Sequence, residues 1–255
     1  MSVQQRGRKR KAVKTAAQRR RVQARSAFVR AKSGAVTSEL PANLPRKHGM
    51  TPDKQVDWLL ERLPERGTAS VAESYAGLEE EARDRGLFVH RATRNDPGVG
   101  NAIISRRQFR SRSEYACHYQ TNNRATKQLH MARVVTREGR WTYHTRDAIH
   151  IPSQGRYKSS TSPLGQAVVV RQIARQKAKT RSRTISGDIN MKPERMLEIL
   201  QSVDKGWRHL GGHGVEHTFG LNVRGFGDAS MSYPNDVSDH EHTAKTSYGV
   251  RGRVI

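Results

Sequence analysis

Six polar residues stand where short apolar runs of this chain stop. Glu73 follows Ser70-Val71-Ala72, His150 follows Ala148-Ile149, Asp188 and Asn190 follow Thr184-Ile185-Ser186, and Asp239 and His240 precede a last run from Thr243. Carboxylates with an amide oxygen form a hard-oxygen set suited to Mg²⁺, which keeps several waters and takes one or two protein carboxylates plus phosphate. Two histidines beside such an ion can serve as base and acid near neutral pH. Each signal is weak on its own. A histidine in a strand is more often a hydrogen-bonded structural residue, and Gly-Asp-x-Asn is most often a turn in which Asp and Asn bond their own backbone.

For these groups to act together, the strands must end on one rim of a rigid scaffold. Residues 35–40 read as a first strand, which Pro41 is expected to cut short. Thr51 and Pro52 open a helix carrying Val56, Leu59, Leu60 and Leu63 on one face, and Pro64 stops it. A short run over 68–72 enters Glu73, and a second helix is expected over 75–85, ending at Gly86. Residues 87–89 and 101–105 read as strands, and 132–136 with 141–145 as a hairpin continuing through 148–151. Helices over 166–179 and 193–203 flank a strand at 184–186, and further strands fall at 215–221 and 243–250. Single helices between strands predict a layered α/β protein.

The charge balance names a partner class. The 255 residues include 47 Lys+Arg against 23 Asp+Glu, a net +24 with histidines neutral, and only 34% are hydrophobic. That excess predicts a polyanion, with nucleic acid foremost and DNA favoured over RNA. Half of it lies in residues 1–32, which hold 12 Lys/Arg and no acid. Residues 1–33 therefore read as a disordered or helical basic arm, and 34–255 as the folded domain. No stretch of 18 apolar residues exists, so neither a membrane span nor a secretory signal is expected, and the chain reads as a cytoplasmic monomer. The single cysteine, Cys117, excludes a disulfide framework and a thiolate-built zinc site.

The order of the motifs adds what their types alone do not. Glu73, "GNAIISRR" at 100–107, "DAIHIP" at 147–152, "ISGDIN" at 185–190, "GVEHTFGL" at 214–221 and "SDHEH" at 238–242 resemble the endonuclease/exonuclease/phosphatase superfamily, the deoxyribonuclease I-like phosphoesterases. "GDIN" is similar to the family's Gly-Asp-Phe-Asn and "SDH" to its closing signature. The resemblance covers roughly residues 34–250 and implies a four-layer αββα sandwich of two packed β-sheets flanked by helices. It also implies Mg²⁺ or Mn²⁺ held by Glu73, Asp239 and Asn43. His240 would be the general base, oriented by Glu216. His150 would steady the scissile phosphate or protonate the leaving oxygen, and Asp188 and Asn190 would position the nucleophile and the phosphoryl oxygens. Ala72 stands where the family has Gln, and three further departures stand out: Asn43 in "PANLP" as the one candidate for the first-strand Asn, Glu216 where the family has Asp, and an unusually polar final strand, "HTAKTSYGV".

The functions that remain are a metal-dependent phosphodiesterase acting on a nucleic-acid backbone, a non-catalytic or degenerate nucleic-acid binder of the same fold, and a phosphatase for another ester. Other clusters carry less. His209, His213 and His217 would align on a helix for zinc, but Gly211, Gly212 and Gly214 argue against one. Arg106, Arg107, Arg110 and Arg112 could touch substrate phosphates or form a solvated loop. Cys117, Trp58, Trp141 and Trp207 are expected in the core.

Overall fold

The computed structural model describes residues 35–47, 49–92, 100–139, 142–155 and 160–250; the expected basic arm at 1–33 and Trp141 lie outside the described residues. The first half runs β1 (Ala35–Asn43), α1 (Pro52–Arg62), β2 (Gly67–Ser74), α2 (Ala76–Asp84), β3 (Phe88–Arg91) and β4 (Gly100–Ser105). The second half opens with β5 (Ser111–Gln120), β6 (Thr126–Arg137), β7 (Tyr143–His150), α3 (Pro163–Arg175), β8 (Arg183–Asp188) and α4 (Pro193–Val203). It closes with β9 (Trp207–His213), β10 (Glu216–Leu221), β11 (Val223–Ser232) and β12 (His242–Val250). The strands form two six-stranded sheets, in the orders β11-β12-β1-β2-β4-β3 and β5-β6-β7-β8-β10-β9. The sheets stack face to face with two helices outside each, the expected αββα sandwich.

Strand alternation decides which side chains meet which layer. On β1, Leu40 and Ala42 point outward and pack with Val56, Trp58 and Leu59 of α1 and with Leu78 and Ala82 of α2. On the other sheet, Ile149, Ile185 and Phe219 pack with Val169, Val170 and Ile173 of α3 and Met196 and Leu200 of α4. Each such burial contributes about 1.5–3 kcal/mol. The intervening residues of the same strands face the opposite sheet. A small apolar cluster of Ile103, Ala132, Val134 and Ala148 fills part of that space.

Much of the rest is polar and extensively hydrogen-bonded. The buried Arg146 guanidinium forms an ion pair with Glu39 and donates to Glu138 Oε1 at 2.7 Å, Thr37 Oγ1 at 2.6 Å, Tyr248 Oη at 2.6 Å and Thr136 Oγ1 at 3.0 Å. His144 lies beside it, 2.9 Å from Ser182 Oγ and 3.0 Å from Thr184 Oγ1. Under α3, Asp147 accepts from Arg133 at 2.6 Å and from Arg183 Nε at 2.7 Å, while Arg183 Nη1 satisfies the carbonyls of Ile173 and Gln176 at the helix end.

The structure revises the expected elements in five places, one of them the edge strand β11, where no element was expected. Pro41 does not end β1, because the ladder to β12 stops at Glu39 while the parallel ladder to β2 continues to Asn43. The helix expected over 166–179 starts at Pro163 and ends at Arg175, since Ser162 Oγ accepts from Gly165 N at 3.1 Å and the apolar face stops at Ile173. The proposed hairpin partner of β7 is joined by β5, which pairs with β6 over its whole length. The histidine-spaced segment at 207–213 is β9, a strand in which Gly211 and Gly212 take φ of 153° and 151°. Trp58, Trp207 and Cys117 are buried as expected, and burial pushes the Cys117 thiol up to about 12, so it is inert. Among the described residues no helix is long and apolar enough to cross a membrane.

Candidate active site

Two parallel strand pairs, β1 with β2 and β7 with β8, bring four C-terminal strand ends to the same edge of the sandwich. There His150 pairs in register with Asp188, and Asp188 with Glu216 at the start of β10. These three and Asn43 occupy the alternate positions that face between the sheets, so period-two patterning alone aims them at a common space.

Two local backbone features complete the aim. Gly187, with φ 144°, lies so close to β7 that a Cβ there would sit 2.0 Å from the carbonyl oxygen of Ile149. Only glycine allows that approach. Glu73 has φ 57° at a register shift in the β2–β4 ladder. A left-handed non-glycine residue costs about 1–2 kcal/mol, and here the bulge turns the carboxylate out of the sheet toward the cleft. Asn190, at φ 46°, closes a turn in which its N–H donates to Asp188 Oδ1 at 3.0 Å and its Nδ2 to the Ile151 carbonyl at 3.0 Å. The turn reading of Gly-Asp-x-Asn therefore holds, and the turn lines the cleft. Gln166, buried on α3, donates to the carbonyls of Pro152 at 2.8 Å and Asn190 at 2.9 Å and fixes both loops.

The cleft holds about 450 Å³ and is lined by Asn43, Glu73, His150, Asp188, Asn190, Asp239 and His240, among others. The eighth expected residue, Glu216, is buried behind His240 and accepts from its Nδ1 at 3.0 Å. That leaves Nε2 to accept, and Asn43 Nδ2 donates to it at 2.9 Å. The extra methylene of Glu216 relative to Asp is used: its second oxygen accepts from Tyr233 Oη at 2.8 Å. Tyr233 in turn accepts from the Asn43 N–H at 3.1 Å and stacks on Trp58 with ring centroids 4.7 Å apart. Nothing in the sequence pointed to Tyr233, which sits in the loop after β11. Tyr119, Lys127, Gln128 and Ser153 also line the cleft and were not anticipated. None of Arg106, Arg107, Arg110 and Arg112 lines it; Arg106 Nε donates to the Leu63 carbonyl at 3.0 Å, at the end of α1.

The electrostatics are those of crowded acids. Burial, then the neighbouring Glu216 and Glu73, lift the Asp188 carboxyl to about 7, although His240 opposes them. Burial and Asp239 raise Glu73 as well. Burial also works to raise Asp239, but its ion pair with Lys47 outweighs this and leaves it lowered. The hydrogen bond to Glu216 raises His240, whereas burial and the nearby His240 push His150 down to about 4. Two buried polar atoms have no hydrogen-bond partner here, Asn43 Oδ1 and His150 Nδ1. Among the described residues no three His, Cys, Asp or Glu side chains are arranged to hold a metal by themselves. A site for a hard cation that keeps waters and takes phosphate does not require three, and amide oxygens can serve.

No family model matches the chain, and no curated protein matches it in sequence. Solved structures do match its fold. An endonuclease/exonuclease/phosphatase from Bacteroides vulgatus superposes with a TM-score of 0.67 at 8% identity, covering 86% of this chain and 100% of that one. D. rerio TDP2, solved with a single-strand DNA product, gives 0.60 at 10% identity over 85% of this chain and 100% of that one. The human Nocturnin catalytic domain, solved with a bound sulfate anion, gives 0.59 at 10% identity over 84% and 94%. The sandwich, its strand order and these superpositions agree: the chain has the endonuclease/exonuclease/phosphatase fold.

Proposed function

We propose that this chain is a divalent-metal-dependent phosphodiesterase, a nuclease that hydrolyses the backbone of DNA or RNA by in-line attack of water. The observation that carries this reading is the convergence of Asp188, Asn190, His150 and the Glu216–His240–Asn43 chain on one cleft at the strand ends. The similarity to the fold of D. rerio TDP2, solved with a single-strand DNA product, and the +24 charge support nucleic acid as the substrate class. The basic arm of residues 1–33 adds a tether to the same polyanion.

The donor set fits Mg²⁺ or Mn²⁺. Glu73, the unpartnered Asn43 Oδ1 and Asp239 are hard oxygens, and a cation would relieve the mutual repulsion of the acids around Asp188. When bound, such an ion supplies charge neutralisation to the phosphoryl oxygen and lowers the cost of making hydroxide. The chain's own groups do the rest. Glu216 fixes His240 with its Nδ1–H committed, so Nε2, which accepts from Asn43 Nδ2 in this structure, is the nitrogen that takes the proton of the attacking water when that water replaces the Asn43 donor. Asp188, with its carboxyl near 7, orients that water. His150 is neutral at physiological pH and steadies a phosphoryl oxygen as an N–H donor, the first of its two expected roles. Asn190 Nδ2 is committed to Ile151, and its turn holds Asp188 in place.

Plasmid and oligonucleotide cleavage in Mg²⁺, Mn²⁺ and EDTA tests the proposal. Metal-dependent nicking or shortening is expected. Binding of nucleic acid without any cleavage would instead make the chain a binder on an enzyme fold. Cleavage of a small phosphate ester alone would leave the hydrolase and remove the nucleic acid.

A further inference from the structure

A second cavity, of about 480 Å³, adjoins the candidate active site. Ser153 and Asn190 line both, so the two form one continuous groove. Its far part lies between the start of α3 and the start of α4, where Lys192 and Arg195 stand exposed at the rim. The floor there is apolar, made by Pro163, Met191 and Ile199. The wall shared with the active site is held rigidly by Gln166, buried and hydrogen-bonded to the carbonyls of both Pro152 and Asn190. Among the described residues, the ion pair at this rim, Arg195 to Glu198 at 2.9 Å, is exposed on both sides and holds the guanidinium weakly.

We infer that this extension is the subsite for the nucleotide next to the scissile phosphate. The inference rests on the nuclease reading above and sharpens it: the substrate is a strand of at least two linked nucleotides, not a lone phosphate ester. Three properties of the groove select that occupant. An apolar floor accepts the flat face of a base or a sugar, and two cations at the rim accept the phosphate that links it onward. Continuity through Asn190 means an occupant of the extension is attached to whatever sits at Asp188. A simple phosphate ester has no second phosphate to place at the rim, so Lys192 and Arg195 contribute nothing to its turnover.

The test compares Lys192→Ala/Arg195→Ala, Arg195→Ala and Arg195→Glu with wild type on a single-stranded oligonucleotide and on bis(p-nitrophenyl) phosphate, a small diester with no second phosphate for the rim. Melting curves check that each variant is folded, which exposed positions make easy. The double variant should lose roughly tenfold to a hundredfold in kcat/KM on the oligonucleotide. Its binding should also depend less steeply on salt, the log–log slope falling by about 0.7 per lost phosphate contact. The rate on the small diester should stay within about twofold, and Arg195→Glu should be worse than Arg195→Ala on the oligonucleotide alone. Equal losses on both substrates, or no loss on either, would overturn the subsite while leaving the nuclease standing. A wild-type chain that cleaves the small diester but not the oligonucleotide would overturn the nucleic-acid reading and the subsite with it.

Discussion

The space between the two sheets has two ends built from the same strands, and they use polar residues in opposite ways. β1 supplies Glu39 to one end and Asn43 to the other; β7 supplies Arg146 and His150; β8 supplies Thr184 and Asp188. Each pair is four residues apart on one face of a strand, a separation of about 13 Å. At the Arg146 end every strong group has a partner: two carboxylates, a phenol and several hydroxyls surround one guanidinium. At the Asp188 end acids crowd one another, and two buried polar atoms lack any partner. A paired cluster holds the sheets in register, while an unsatisfied one waits for charge from outside. Stability and chemistry are thus separated along the strands rather than between domains.

The sharpest way to break this contrast is to remove one group from each end. Asp188→Ala should lower kcat on a nucleic-acid substrate by about 10²–10⁴-fold and barely move the melting temperature. If its activity fell only in proportion to lost folded protein, Asp188 would belong with the scaffold. Arg146→Ala should do the reverse. Stranding Glu39 and Glu138 in the interior should cost about 3–5 kcal/mol, read by urea unfolding, with the rate per folded molecule kept at low temperature.

Acid separates the ends next. Burial and the Arg146 cation press the His144 imidazole down to about 3, and burial is outweighed at Glu138, which Arg146 and His144 carry down to about 2. Both groups bind fewer protons in the folded chain than in the unfolded one. Their stabilisation is therefore complete above about 6.5, the unfolded histidine value, and is lost as pH falls toward 3 and then 2. The unfolding midpoint should decline from pH 6.5 downward, and His144→Gln should flatten the upper part of that decline. Asp188 and Glu73, raised at the other end, pull the opposite way over this range, so the variant is the control. A His144→Gln midpoint that changes with pH just as wild type does would mean the network does not carry the sheets.

The smallest effect belongs to the residue that links the two themes. Tyr233→Phe removes one hydrogen bond from Glu216 and one from the Asn43 backbone. It should slow turnover by about tenfold, with less than about 1.5 kcal/mol lost in stability, because the ring still stacks on Trp58. A rate equal to wild type would show that Glu216 orients His240 without help.

What could be read from the sequence follows the same physics. The central strands and all four helices carry apolar residues at period 2 or 3.6, and they were placed to within a few residues. The three strands missed, β5, β9 and β11, are all sheet edges, where polar residues and glycines erase the alternation. The fourth edge, β3, was found because Leu87, Phe88 and Val89 stay apolar. Glu73, His150, Asp188 and Asn190 were legible because they follow apolar runs, Asp239 and His240 because they precede one, and Asn43 and Glu216 only through the family resemblance. The structure gathers seven around the cleft with Glu216 behind. Tyr233, Gln166 and Lys47 were not legible, since their partners are 17, 24 and 192 positions away and no spacing announces them.

One experiment addresses the central contrast directly: single-turnover cleavage of a labelled oligonucleotide with Mg²⁺, for wild type, Asp188→Ala and Arg146→Ala side by side, below the melting temperature of the weakest. Wild type and Arg146→Ala should cleave at similar rates that EDTA abolishes, and Asp188→Ala should fall by at least about a hundredfold. Cleavage that survives Asp188→Ala, or that ignores EDTA, would contradict the account.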